Sequence, residues 1–231
     1  MRPTLTKENA FPGQQKLEIG SIFQYTEFEE RGEFFSVMDR DELMIEPYLR
    51  YGLLDNLTVI GRLPYTEIDR DFGDDDNGIG DASLGFELLV FEDIFEYPYV
   101  IPHLDVVFDT GDEDEGLGRG ETTVKTGISV GTVVYDKYHY IVDAGYEIND
   151  DRDNIASLAG TFIWDVSEQF SVLGEAMISD EEVNEDNDHP SFYRAGLCYK
   201  ATESLAINVY GGGAKNTDED VSASVKVSYS F

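Results

Sequence analysis

The chain has 231 residues, 48 of them acidic and 16 basic, and its formal charge of −32 sets nucleic acid aside as a partner, because neutralising phosphates needs a basic surface. Mean hydropathy is −0.32, and no apolar run reaches the ~18 residues of a spanning helix, which excludes helical membrane spans but not strands. One cysteine, Cys198, excludes an internal disulfide.

Twelve segments alternate apolar and polar residues with a period of two, so each is a strand with unlike faces. In chain order, the first sets Leu17, Ile19, Phe23 and Tyr25 against Glu18. The second sets Leu43, Ile45 and Leu49 against Glu46 and Arg50, and the third sets Leu57, Val59 and Leu63 against Arg62. Leu84, Phe86 and Leu88 then oppose Glu87, and Val100, Leu104 and Val106 oppose His103 and Asp105. The sixth and seventh place Val124, Ile128 and Val130 against Lys125, and Tyr140 and Val142 against His139, Asp143 and Glu147. The eighth to tenth oppose Leu158, Phe162 and Trp164 to Thr161; Val172 and Ile178 to Glu175; and Leu197 and Tyr199 to Arg194. The eleventh, Leu205, Ile207 and Val209 against Asn208, is the weakest. The last runs Val221, Ala223, Val225, Val227, Tyr229, Phe231 on one face and serines with Lys226 on the other.

The connections alternate between short turns, such as Leu54-Asp55-Asn56 and Asp136-Lys137, and longer acidic loops. Those loops run Glu27–Glu42, Thr66–Asp81, Asp109–Glu121, Ile148–Asn154, Ser179–Pro190 and Gly212–Asp220. This segregation predicts an up-and-down, transmembrane antiparallel β-barrel of about 12 strands, with short periplasmic turns and long extracellular loops. An aromatic C-terminal strand ending in Phe231 fits a signal to the bacterial barrel-assembly machinery. The reading assigns residues 1–14 to an N-terminal periplasmic segment and 15–231 to the barrel. It also expects that a leader has been removed and that Met1 is an added start residue.

Aromatic residues near the short turns, among them Tyr99, Tyr135, Tyr140, Trp164, Tyr199 and Tyr229, with Phe91 and Tyr97, predict an interfacial girdle. The six long loops carry 32 acidic and six basic residues, or 26 of the 32 net negative charges. The inward row is mixed: Glu18, Glu46, Glu87, Asp105, Asp143, Glu147 and Glu175 face Arg50, Arg62, Lys125, Arg194 and Lys226, with His103 among them. Two readings follow, a brace of ion pairs that closes the wall or a charge-decorated pore that sets selectivity. Twelve strands lie between the filled eight and the openly aqueous sixteen, so a narrow passage is expected.

Asp74, Asp75 and Asp76 are weak metal candidates, because counting back from Gly78 puts Gly73 at the first ligand position of a calcium loop. A solvated loop or a saline habitat explains the run better; otherwise no cofactor is expected beyond loosely bound Ca²⁺ or Mg²⁺ bridging to lipopolysaccharide. Catalysis has little support. No Gly-x-Ser-x-Gly occurs, and His189 beside Asp188 sits in an acidic loop.

Three stretches resemble the MetA-pathway phenol-degradation family of outer-membrane transporters. They are Tyr51-Gly52-Leu53-Leu54-Asp55-Asn56-Leu57-Thr58-Val59 with Arg62-Leu63-Pro64-Tyr65; Gly78-Ile79-Gly80-Asp81 with Leu84-Gly85; and Pro102 followed by Asp109-Thr110-Gly111-Asp112 and Leu117-Gly118-Arg119-Gly120. Phe86-Glu87 and Asp109 depart from the family pattern. The resemblance implies an outer-membrane channel for small solutes, with small aromatic or apolar compounds as the class. The rival reading is a structural or adhesive barrel with a closed lumen and cation-binding loops. Membrane lipid and lipopolysaccharide are the expected surroundings of either.

Overall fold

The computed structural model describes residues 2–31, 37–71, 75–90, 98–150, 152–181, 189–217 and 219–231. Fourteen strands form one antiparallel sheet: β1 (Leu17–Arg31), β2 (Val37–Leu54), β3 (Leu57–Arg62), β4 (Tyr65–Arg70), β5 (Asp76–Ile79), β6 (Ser83–Leu88) and β7 (Tyr99–Val107), followed by β8 (Thr123–Val134), β9 (Tyr138–Ile148), β10 (Ile155–Asp165), β11 (Phe170–Glu181), β12 (Ser191–Lys200), β13 (Leu205–Lys215) and β14 (Glu219–Ser230). Consecutive strands pair except β3 with β4 and β5 with β6, and β1 pairs with both β2 and β14, which closes the wall. The barrel has twelve staves, because β3 and β4 both lie along β2, and β5 and β6 pair with β4 and β3 in turn.

The break between β3 and β4 falls at Leu63-Pro64, beside Pro47 on β2. Neither proline has an N–H to give; Leu63 N donates to the Pro47 carbonyl (3.2 Å), and the Pro64 carbonyl accepts from Gly80 N (2.9 Å). The long hairpins also differ from expectation, since β1, β2, β4 and β5 run well into the predicted loops Glu27–Glu42 and Thr66–Asp81. Charge on both faces ends the lipid-compatible row there, but backbone pairing does not need that row and continues.

Orientation follows the apolar row. Leu84, Val130 and Val225 are 37%, 41% and 37% exposed, and the other large apolar residues of that row are exposed or half-exposed with them. Thr58, Ser129, Thr123 and Arg50, on the polar row, are at most 1% exposed. A soluble barrel would show the reverse, so this is the membrane type. At the short-turn end, Tyr135 and Asp136 both adopt φ 54°, the left-handed pair that a tight hairpin turn requires.

Two expectations are corrected here. Tyr99 is 1% exposed and packs with Ile101 inside the barrel, because it shares parity with His103 and Asp105 rather than with Val100. It is not part of the girdle, whereas Tyr135, Tyr140, Trp164, Tyr199 and Tyr229 are exposed; Phe91 and Tyr97 lie outside the described residues. The N-terminal segment is not outside the barrel either. Residues 2–12 fill the lumen, because the wall offers them both an apolar cluster and surplus carboxylates.

A lumen filled from within

The segment enters at the short-turn rim. A turn at Gly13 and Gln15 (φ 89° and 58°) reverses the chain, with Gln15 N donating to Gly52 O (2.8 Å) and Gln14 N to Asp55 Oδ1 (2.9 Å). Gly52 is needed there, because a side-chain carbon on it would overlap the Gly13 carbonyl. Above the turn, Phe11 packs on Leu89, Tyr99, Ile101, Ile141, Ile163, Leu173, Cys198 and Tyr210, all 0–3% exposed. This apolar cluster occupies the short-turn end of the lumen.

Higher up, the wall's charges turn to the segment. Lys7 Nζ lies 3.3 Å from Glu87, and Lys7 N donates to Ser129 Oγ (2.9 Å). Glu175 is 4% exposed and accepts from Thr4 N (2.9 Å), Leu5 N (3.0 Å), Thr4 Oγ1 (2.7 Å) and Thr161 Oγ1 (3.2 Å). Arg194 Nη1 reaches Thr4 Oγ1 at 3.4 Å. Arg2 pairs with Glu8 and Asp165, and its carbonyl accepts from Tyr210 OH. Burial opposes ionisation of Glu8, yet the adjacent Arg2 outweighs it and holds the carboxyl down at about 2.

The remaining inward groups pair within the wall. Arg50 lies between Glu18 (3.0 Å) and Glu87 (3.1 Å), and Arg62 between Asp105 (2.6 Å) and Glu46 (3.9 Å). Lys125 and Arg119 share Glu147, and Lys226 stands over the Tyr48 ring at 5.0 Å. His103 and Ser129 both contact Asp143, and His139 and Ser171 both contact Asp165. In each set the carboxylate sits between histidine and serine, so the histidine is not placed to take the serine's proton.

The structure brings the thirteen predicted inward residues into a few connected groups. Sequence reasoning missed Arg2, Thr4, Lys7, Glu8 and Phe11. A signal existed, since seven inward carboxylates face only five wall cations; Lys7 supplies one further cation to Glu87, and backbone N–H groups of the segment serve Glu175.

Above the segment the lumen widens into two adjoining lobes of about 650 and 560 Å³, which share Thr4, Lys7, Asp105, Arg119 and Lys125. The larger is roofed by Leu117 and Arg119 of the β7–β8 loop. Outside the wall lies an apolar hollow lined by Ile19, Phe23, Leu49, Leu63 and Tyr229; Tyr48, Arg62 and Ser83, beside the break in the third stave, line both it and the larger lobe.

Of the metal candidates, Asp76 pairs with Arg70, Asp75 accepts from Arg70 N at 3.4 Å, and Asp74 lies outside the described residues. Among the described residues no three metal-binding side chains converge. His189 contacts Asp180 (3.3 Å), and Asp188 lies outside the described residues.

Residues 23–231 match the model of the family described as "Putative MetA-pathway of phenol degradation". The chain belongs to this family. The COG4313 outer membrane channel from Pseudomonas putida F1 has a similar structure over 100% of both chains, with a TM-score of 0.80 at 12% identity. The KdgM porin in complex with disordered oligogalacturonate is similar over 93% of this chain and 99% of its own (TM-score 0.62, 11% identity). LpxR from Salmonella typhimurium is similar over 93% of this chain and 99% of its own (TM-score 0.57, 9% identity). At these identities the likeness is one of fold. None of the curated proteins matches the chain in sequence. The family's stretches have physical roles here: Gly52 and Asp55 seat the turn of the N-terminal segment, and Gly80-Asp81 meets Thr110-Gly111 at the lumen mouth.

Proposed function

We propose that this protein is a channel of the bacterial outer membrane for the passive passage of small solutes. The observation that carries this reading is a closed wall, apolar outward and ionisable inward, around lobes that lie beneath the acidic loops. The lobes suit small molecules. Met44, Ile60, Pro64 and Leu117 among their lining residues, beside the charged groups, favour compounds with an aromatic or apolar body.

The wall groups that set selectivity in this reading are Arg50, Arg62, Lys125 and Arg194 with Glu46, Glu87, Asp105 and Glu147. The chain does no chemistry of its own. Its surroundings are membrane lipid and lipopolysaccharide, with Ca²⁺ or Mg²⁺ held loosely by the loops, and the C-terminal strand ending at Phe231 engages the assembly machinery. The filled short-turn end favours a second reading, a structural or adhesive barrel whose lumen stays closed. Planar-bilayer recording separates the two. Discrete conductance steps and uptake of small aromatic compounds into liposomes support the channel; silence at high salt together with no uptake supports the closed barrel.

A further inference from the structure

The β7–β8 loop does not hang free over the mouth. It folds back on the break between β5 and β6, and one carboxylate stands at the crossing. Asp81 Oδ1 accepts from Thr110 N (3.0 Å) and Gly111 N (2.8 Å) on the outgoing limb, while Oδ2 accepts from Arg119 N (2.8 Å) on the returning limb. Thr110 Oγ1 completes the contact, accepting from Ala82 N (2.8 Å) and donating to Gly80 O (3.1 Å). The limbs are also joined to each other, with Leu117 N (2.8 Å) and Gly118 N (3.2 Å) donating to Asp112 O.

The approach is too close for side chains. A Cβ on Gly80 would lie 2.9 Å from Leu117 O, and one on Gly111 would lie 2.6 Å from the same atom. The outcome of the crossing is the position of Leu117, 9% exposed and roofing the larger lobe. Beside it the Arg119 side chain reaches Glu147 on β9.

We propose that Asp81 is the positioning residue of the channel mouth: by holding both limbs of the loop with one carboxylate, it fixes Leu117 over the lumen and so sets the largest solute that enters. The assignment rests on the channel reading for its effect on passage, but the tether itself is testable without it. Both oxygens are engaged, so an amide in place of the carboxylate keeps one acceptor and loses one limb, and a methyl group loses both.

The test uses the full chain with Cys198→Ser and Leu117→Cys, reconstituted in liposomes and exposed to a membrane-impermeant maleimide. Labelling is expected to be slow with Asp81 present, several-fold faster with Asp81→Asn, and at least tenfold faster with Asp81→Ala. Equal rates in all three overturn the assignment. Should Asp81→Ala fail to fold, Asp81→Asn decides alone: faster labelling supports the tether and an unchanged rate overturns it. Liposome swelling with sugars of increasing size is the second readout, and the cut-off is expected to move upward in the order Asp, Asn, Ala. Faster labelling with an unmoved cut-off overturns control of passage by Asp81. Faster labelling with no swelling in any variant leaves the tether in place and removes the channel reading instead.

Discussion

Replacing Glu175 by alanine tests whether the N-terminal segment is what closes the lumen. Its carboxylate receives three bonds from the segment, from Thr4 N, Thr4 Oγ1 and Leu5 N, at 2.7–3.0 Å, in a site 4% exposed. A bond to a charged group is worth roughly 1.5–3 kcal/mol net in a protein. The segment's freed donors meet water once it withdraws, and water can enter the vacated site, so the sum must be discounted heavily. We expect about 2–4 kcal/mol lost from the seated state, or roughly 30- to 700-fold in the ratio of withdrawn to seated. In planar bilayers this should appear as longer and larger open events at fixed voltage, with the folded barrel verified by its heat-dependent gel migration. If Glu175→Ala folds and its open probability and step size match the unaltered protein, either the segment does not gate or Glu175 does not hold it.

Three further outcomes are expected. Arg50→Met takes the guanidinium from Glu18 and leaves Glu87 with Lys7 alone; the two carboxylates are 6% and 1% exposed, and breaking a buried pair from one side costs roughly 3–5 kcal/mol, so thermal unfolding in detergent should shift well below that of the unaltered barrel. Ile128→Arg places a charge on the lipid face in mid-strand, where Ile128 is 51% exposed opposite Ala144, and should cost about 2–4 kcal/mol in folding titrations with lipid vesicles, while the same change at Ser129 on the inner face should not follow that scale. Glu8, held at about 2 against an ordinary 4.5, binds protons more weakly when seated beside Arg2 than when released. Its contribution to seating is therefore whole above pH 4.5 and lost as pH falls through about 2, and conductance should rise across that window and fall back when pH is restored; a Glu8→Gln channel should lack that component.

The wall was legible because each of its facts has period two. The exposures of Leu84, Val130 and Val225 follow from parity, and so do the inward positions of Arg50, Glu87 and Lys226. Tyr99 lies near a turn, but its parity with Ile101 decides which face it takes. The N-terminal segment has no period at all. Its place is set by partners on β8, β10 and β11 that lie more than a hundred residues away, and no local pattern in Thr4-Leu5-Thr6-Lys7 announces them. The β5–β6 break was hidden for a different reason. Gly80-Asp81 reads as an ordinary loop until Thr110 and Arg119 are brought against it.

The chemistry of the filling bears on whether it can move. A lumen meant only to be sealed would gain more from apolar residues, since paired buried charges repay their lost hydration poorly. Here apolar packing is concentrated around Phe11 at the short-turn end, and the segment's upper part is held by carboxylates and hydroxyls on Glu87, Ser129, Thr161 and Glu175. If the upper part withdraws, those groups face a water-filled lumen rather than lipid, and water replaces the lost partners at modest cost. Releasing Phe11 exposes an apolar cluster instead, and no solvent compensates for that. The two halves of the segment therefore resist displacement unequally: the polar half is built to exchange with water, and the Phe11 anchor to stay.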